Sequence, residues 1–141
     1  MLELSTSNEQ TLAPGAALVF DRTILGCNCG CCHRNNTATV KILNGGTHRI
    51  TFDGNIAVPT GVTPPTTGVQ LQVSLSGTPL PEGRMVVTPG AAGQFFNVST
   101  NIGEKTCKCC KSFDTVTIVN TGTTAVTVAA GATLIVERVG D

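Results

Sequence analysis

The sequence predicts an all-β protein, an antiparallel β-sandwich or jelly roll of about eight to ten short strands. Three observations carry that expectation. Thr is the commonest residue, 22 of 141, and Val is abundant; both suit the pleated, half-buried surface of a sheet. The 16 Gly and 7 Pro are spread along the chain as turn punctuation, not pooled in a linker. Apolar residues recur with a period of two, and no stretch supports a helix of three turns. The length suffices for a genuine two-layer core. With 40% apolar residues, no Trp, no Tyr and five Phe, that core must be aliphatic.

Taken in order, residues 1–11 are polar overall and are expected as a flexible arm or edge contact, with 12–141 forming one jelly-roll domain. Leu12-Ala13-Pro14-Gly15 is a turn signal, and the apolar run 16–20 reads as the first strand, continued by 21–25. Gly26 hands over to a cysteine-rich loop ending in Asn35-Asn36. Residues 37–43 form the second clear strand, stopped by Asn44-Gly45-Gly46. In the next run, 47–52, Ile50 and Phe52 share one face. Asp53-Gly54 signals a tight turn or bulge, with 55–58 resuming the strand beyond it. Residues 59–68, with three Pro and four Thr, are a loop.

Val69–Leu75 is the cleanest element. Its four aliphatic residues point one way and its three polar ones the other, as in a sheet wetted on one side. Residues 77–83 have turn chemistry. Residues 84–88 and 94–99 are strands split by a Pro-Gly-Ala-Ala-Gly turn, and 101–111 is a second cysteine-bearing loop. Residues 115–119 and 124–128 alternate Thr and Val around Asn120-Thr121-Gly122-Thr123, which is read as a hairpin. Residues 133–139 close the chain.

Charged residues are only 13% and the formal net charge is zero. Nucleic-acid binding would need a basic patch to displace counterions from phosphates, and none is visible. Low net charge favours association, which suits a subunit of an assembly. The amino terminus has neither the basic nor the apolar part of a secretory signal, and no run approaches a membrane span. Synthesis in a cytosol, with thiols initially reduced, is therefore expected.

All seven cysteines fall in two short segments, Cys27-Asn28-Cys29-Gly30-Cys31-Cys32-His33 and Cys107-Lys108-Cys109-Cys110. Extended, the first segment points Cys27, Cys29 and Cys31 to one side and Cys32 to the other; Cys107 and Cys109 likewise oppose Cys110. One reading is oxidative crosslinking by Cys27, Cys29, Cys31, Cys32, Cys107, Cys109 and Cys110, within a subunit or between neighbours. A disulfide joining the segments would close a loop of about 75–80 residues, stabilising by roughly 4 kcal/mol on the chain-entropy model. Neighbours such as Cys31 and Cys32 rarely pair with each other. Seven is odd, so at least one thiol is free, intermolecular or metal-bound. A second reading is a structural zinc site. Cys29 with Cys32 and Cys107 with Cys110 have chelating spacing, and His33 is an additional ligand candidate. Cys27, Cys31 and Cys109 have no place in such a four-ligand site. The third reading is reduced thiols lining a loop. Redox catalysis of thioredoxin type would need a helix start within an α/β fold.

The remaining candidates carry less chemistry. His48, beside Arg49, is expected to face solvent from a sheet. Asp53 and Asp114 are turn or strand-edge residues, and Arg84 a surface or interface contact. No phosphate loop, Ser/His/Asp order or acidic calcium loop occurs in the sequence. Asn35-Asn36-Thr37 and Asn97-Val98-Ser99 match the N-glycosylation triplet, which matters only in a secretory context.

From Thr47 to Val139 the motifs LQVSLSG, VTPGAAG, VTIVNTGTTAVTV and ATLIVERVG resemble the compact trimeric jelly rolls, of tumour-necrosis-factor or C1q type, that end collagen-like exosporium proteins. They are also similar to small stand-alone surface proteins of Firmicutes and their phages. A weaker likeness is to disulfide-stapled spore-appendage subunits, whose cysteines lie in an amino-terminal arm; here residues 1–26 contain none. The resemblance covers about two-thirds of the chain and implies a non-enzymatic subunit that self-assembles as a trimer. It points to the exterior of a particle, a phage capsid as decoration or head-fibre protein, with capsid or other surface-assembly proteins as partners. Such a protein reaches the virion surface from the host cytoplasm without a signal peptide and needs no cofactor. The alternatives are a disulfide-crosslinked spore-surface subunit and a zinc-stabilised or carbohydrate-binding module. Sugar binding leans on aromatic stacking, which a chain without Trp or Tyr supplies poorly.

Overall fold

A computed structural model describes residues 1–26, 31–106 and 113–140. The described strands are β1 (Leu2–Ser5), β2 (Gln10–Leu12), β3 (Arg22–Leu25), β4 (Cys31–His33), β5 (Val40–Ile42), β6 (Gly46–Ala57), β7 (Val69–Leu75), β8 (Thr78–Val87), β9 (Phe96–Thr106), β10 (Asp114–Val119), β11 (Val126–Val128) and β12 (Thr133–Gly140). They pair antiparallel in two sheets. One runs β2-β11-β6-β12-β1-β3, with β9 along the other edge of β6; the second runs β4-β5-β10-β7-β8. The expected all-β jelly roll is the observed fold. Its core lies between the inner faces and is aliphatic apart from Phe20, Phe52, Cys31 and Met85.

Residues 1–11 do not form an arm. β1 inserts between β12 and β3, placing Leu4 opposite Leu134 and Thr23, and both Leu2 and Leu4 are buried. β2 adds to β11. Residues 16–20, expected as a strand, instead cross the core with only isolated bridges at Ala17 and Phe20, while Leu18 and Phe20 are fully buried.

β6 passes straight through Asp53-Gly54 with no turn. A Cβ on Gly54 would stand 3.1 Å from the Phe52 ring and 3.3 Å from Ala132, so glycine here admits close packing. The Asp53 carboxylate accepts from Asn97 on β9 at 2.8 Å. β8 begins earlier than expected and contains Pro79 and Pro81, tolerated because it is an edge strand. It leaves β7 through Ser76-Gly77, both with positive φ, as a two-residue hairpin with Leu75 opposite Thr78 requires. β9 likewise extends to Thr106, through half of the expected loop.

The polar side of β7 is not wetted as the alternation suggested. Gln72 and Ser74 are buried, because Gln72 donates to the Leu80 carbonyl and accepts from Thr121. The expected hairpin at 115–128 is absent. β10 belongs to the five-stranded sheet between β5 and β7, whereas β11 belongs to the other sheet between β2 and β6. Val116 and Ile118 enter the core from one side, Val126 and Val128 from the other. The connection crosses between layers.

Candidate functional site

The topology brings the described residues that flank the two cysteine segments to one end of the sandwich. β3 runs antiparallel to β1 and delivers Gly26 toward this end; the chain re-enters as β4 at Cys31. β9 ends there at Thr106, opposite Gly46, and the chain re-enters as β10 at Asp114. Ile42 pairs with Cys31 on one side and Asp114 on the other, so the two re-entry points flank a single strand. Cys27, Cys29, Cys107, Cys109 and Cys110 lie outside the described residues.

Of the described cysteines, Cys31 is buried in the core cluster and Cys32 is exposed. That follows from the pleat, which turns successive side chains to opposite faces. His33 lies on the Cys31 side. Its Nε2 is 2.8 Å from the Thr37 carbonyl, so Nε2 donates, and its ring meets Phe20 edge-on with centroids 6.3 Å apart. Nδ1 is buried with no hydrogen-bond partner among the described residues. Cys32 and His33 therefore face opposite sides of β4. Among the described residues, no three His, Cys, Asp or Glu side chains are grouped to hold a metal ion. A zinc site would have to draw on the segments 27–30 and 107–112.

His48 does not face solvent. It shares the inner face of β6 with Ile50 and Phe52 and is 1% exposed. Nδ1 lies 3.2 Å from Thr106 Oγ1 and 3.4 Å from the Gly46 carbonyl, while Nε2 is buried without a partner among the described residues. Burial holds the His48 pKa below its ordinary 6.5, with nearby Arg138 adding to the depression and the Gly46 carbonyl and Asp114 opposing it. The unfolded chain thus takes up a proton near pH 6.5 that the folded one refuses, and stability is lost as pH falls below that value. Acidification from about pH 7.5 to about pH 5 is expected to lower the denaturation midpoint through histidine titration. In His48→Leu, Thr106 keeps the Gly46 carbonyl as acceptor, and the midpoint should change much less over that range. An unchanged pH profile in this variant would remove His48 as the cause.

Exposed apolar side chains gather at the same end. Leu43 precedes β6, Phe113 precedes β10, and Leu25 and Val139 close β3 and β12; all four are exposed. The Arg84–Gln70–Thr121–Gln72 relay and the bond from Asn120 to the Leu12 carbonyl have no local signal, because their partners lie far away in sequence. Only the same parity of His48, Ile50 and Phe52 offered a local signal.

The sequence matches no protein-family model and no curated protein. Solved structures do resemble the chain. Eiger TNF from S. frugiperda superposes with a TM-score of 0.77 at 6% identity, over 99% of this chain and 92% of that one. The fold is a jelly roll of tumour-necrosis-factor and C1q type. The globular domain of zebrafish complement 1qA gives 0.67 at 10% identity, covering 98% of this chain and 95% of that one. Murine APRIL gives 0.63 at 12%, covering 98% and 97%. At such identities the TNF/C1q-type likeness extends to the fold alone.

Proposed function

We propose that this chain is a non-enzymatic structural subunit that self-assembles as a trimer and forms or decorates the exterior of a particle, a phage capsid in the first instance. The observation that carries the reading is the TNF/C1q-type jelly roll spanning 98–99% of the chain. The sequence resemblance implies the trimer and the phage setting. The exposed apolar residues at the end flanking the cysteine segments support it further, because exposed large apolar side chains are covered by association. Zero net charge removes long-range repulsion between copies.

In the same proposal the cysteines are crosslinks, with zinc as their alternative. An exposed Cys32 on edge strand β4 suits a bond to another chain, and the shared end at which the described residues flanking both segments lie suits bonds between them. A specific observation thus also favours the spore-surface reading, in which covalent crosslinks harden an exterior layer.

The test uses the full chain purified without thiols. In reductant, light scattering is expected to give three times the 14.5 kDa chain mass; a single-chain mass at micromolar concentration would remove the trimer. On a denaturing gel after thiol blocking, crosslinked chains run at high mass and collapse to 14.5 kDa on reduction. A monomer band in both lanes, with thiols blockable only after chelation, would transfer the cysteines to zinc.

A further inference from the structure

We propose that the hollow around Arg84, on the outer face of the five-stranded sheet, is a binding site for a carboxylated sugar. The inference is independent of the assembly reading. Register places Gln72 opposite Arg84 across β7 and β8. Arg84 Nε donates to Gln70 Oε1 at 3.0 Å, Gln70 Nε2 to Thr121 Oγ1 at 2.6 Å, and Thr121 Oγ1 to Gln72 Oε1 at 2.8 Å. Gln72 Nε2 then donates to the Leu80 carbonyl at 2.9 Å. Each acceptor in this relay receives the preceding donor, so the direction of every amide and hydroxyl is set. The relay is anchored in buried structure, since Gln72 is 8% exposed.

The relay occupies Arg84 only through Nε. Its two Nη groups have no hydrogen-bond or ion-pair partner among the described residues. Arg84 lines a hollow of about 290 Å³ whose other side chains are Thr67, Gln70, Thr121 and Thr123, with no carboxylate among the lining residues. Gly68 leaves part of the wall bare. It has φ +82°, and a Cβ there would fall 2.3 Å from the Val87 carbonyl oxygen. The site therefore offers a planar cationic fork held at a set angle, ringed by hydroxyls and one amide.

That donor set selects the ligand. A guanidinium fork matches a carboxylate through two parallel hydrogen bonds, better than it matches a neutral hydroxyl. Thr67 and Thr123 remain for the hydroxyls of a ring, and the volume suits one ring at the lower limit of ligand clefts. No aromatic side chain lines the hollow, so a neutral sugar would find no stacking surface. An ion pair replaces stacking as the source of grip. This is how a chain without Trp or Tyr binds a sugar, provided that sugar is acidic.

The test is a titration of the isotope-labelled full chain, followed by proton–nitrogen correlation spectra at constant ionic strength. The probes are sodium galacturonate, galactose and sodium sulfate. Galacturonate is expected to shift the amides of Gly68, Gln70, Thr121 and Gly122 saturably; galactose should not, and sulfate should bind at least tenfold more weakly. Arg84→Gln should weaken galacturonate at least tenfold, as loss of a charge-assisted pair does. Thr123→Val leaves the relay intact and should weaken it about threefold, the effect of one neutral hydrogen bond. It supplies the answer if Arg84→Gln disturbs folding. Absence of shifts around the hollow, unchanged affinity in both variants, or sulfate binding as tightly as galacturonate would each overturn the proposal.

Discussion

Replacing Leu4 by Ala is expected to lower the unfolding free energy by about 3 kcal/mol, within the range for truncating a buried leucine. Leu4 is fully buried, between Leu134 of β12 and Thr23 of β3. Deleting its isobutyl group loses transfer free energy and leaves a cavity that two flanking strands cannot close without breaking register. If residues 1–11 were an arm outside the fold, the same change would cost no more than about 0.5 kcal/mol. Urea unfolding separates the two cases. The midpoint should fall with little change in slope. Comparison with Glu3→Ala, whose side chain points outward from the same strand, controls for the backbone change. Protein concentration must be held constant, because association of native chains adds to apparent stability.

Leu2 and Leu4 already show the period of two, but four residues give a weak signal when followed by Ser, Thr, Ser and Asn. What makes β1 a core strand is β12, whose partners are some 130 positions away. Local pattern reports which face of a residue is buried; it does not report who covers it. Val69–Leu75 was legible in full as a strand, yet Gln72 and Ser74 are buried, and Gln72 is held by partners at Leu80 and Thr121 that the alternation does not report. Asp53-Gly54 carries turn chemistry and lies inside a 12-residue strand, since the glycine serves packing against Phe52 and Ala132.

The site divides along the same line. The opposition of Cys31 and Cys32 was readable from the pleat and is observed on β4. That the residues flanking the two cysteine segments share one end needed the register of β4, β5, β9 and β10. His48 was misplaced although its parity matched Ile50 and Phe52; its polarity and the neighbouring Arg49 outweighed the periodicity. A histidine on a core parity is a buried histidine, and its unpartnered Nε2 is the structural cost of that position. Arg84 was legible only as a surface or interface contact. Its relay spans residues 70, 72, 84 and 121, which no local window contains.

Asn120→Ala is expected to destabilise the protein by about 3 kcal/mol, because it strips partners from one buried and two half-buried groups at once. Asn120 is fully buried where the chain leaves β10 for β11. Its Nδ2 donates to the carbonyls of Leu12 and Thr124, each at 2.9 Å, and its Oδ1 accepts from the Gly122 amide at 2.9 Å. These bonds turn the chain out of one sheet and into the other. Alanine leaves two carbonyls and one amide without partners, whereas a surface hairpin turn would let water replace them. Asn120→Asp keeps the acceptor for Gly122 but turns a carboxylate toward two carbonyl oxygens, so it should be at least as damaging. Hydrogen exchange gives the local readout: the Gly122 amide should lose its protection in Asn120→Ala while amides in β7 keep theirs. Nuclear Overhauser contacts decide the topology behind the prediction. Thr127 should contact Thr11 and Ala57 across the sheet, as the register requires. Contacts from Thr127 to residues 115–119 would restore the hairpin and remove Asn120 from its bridging role.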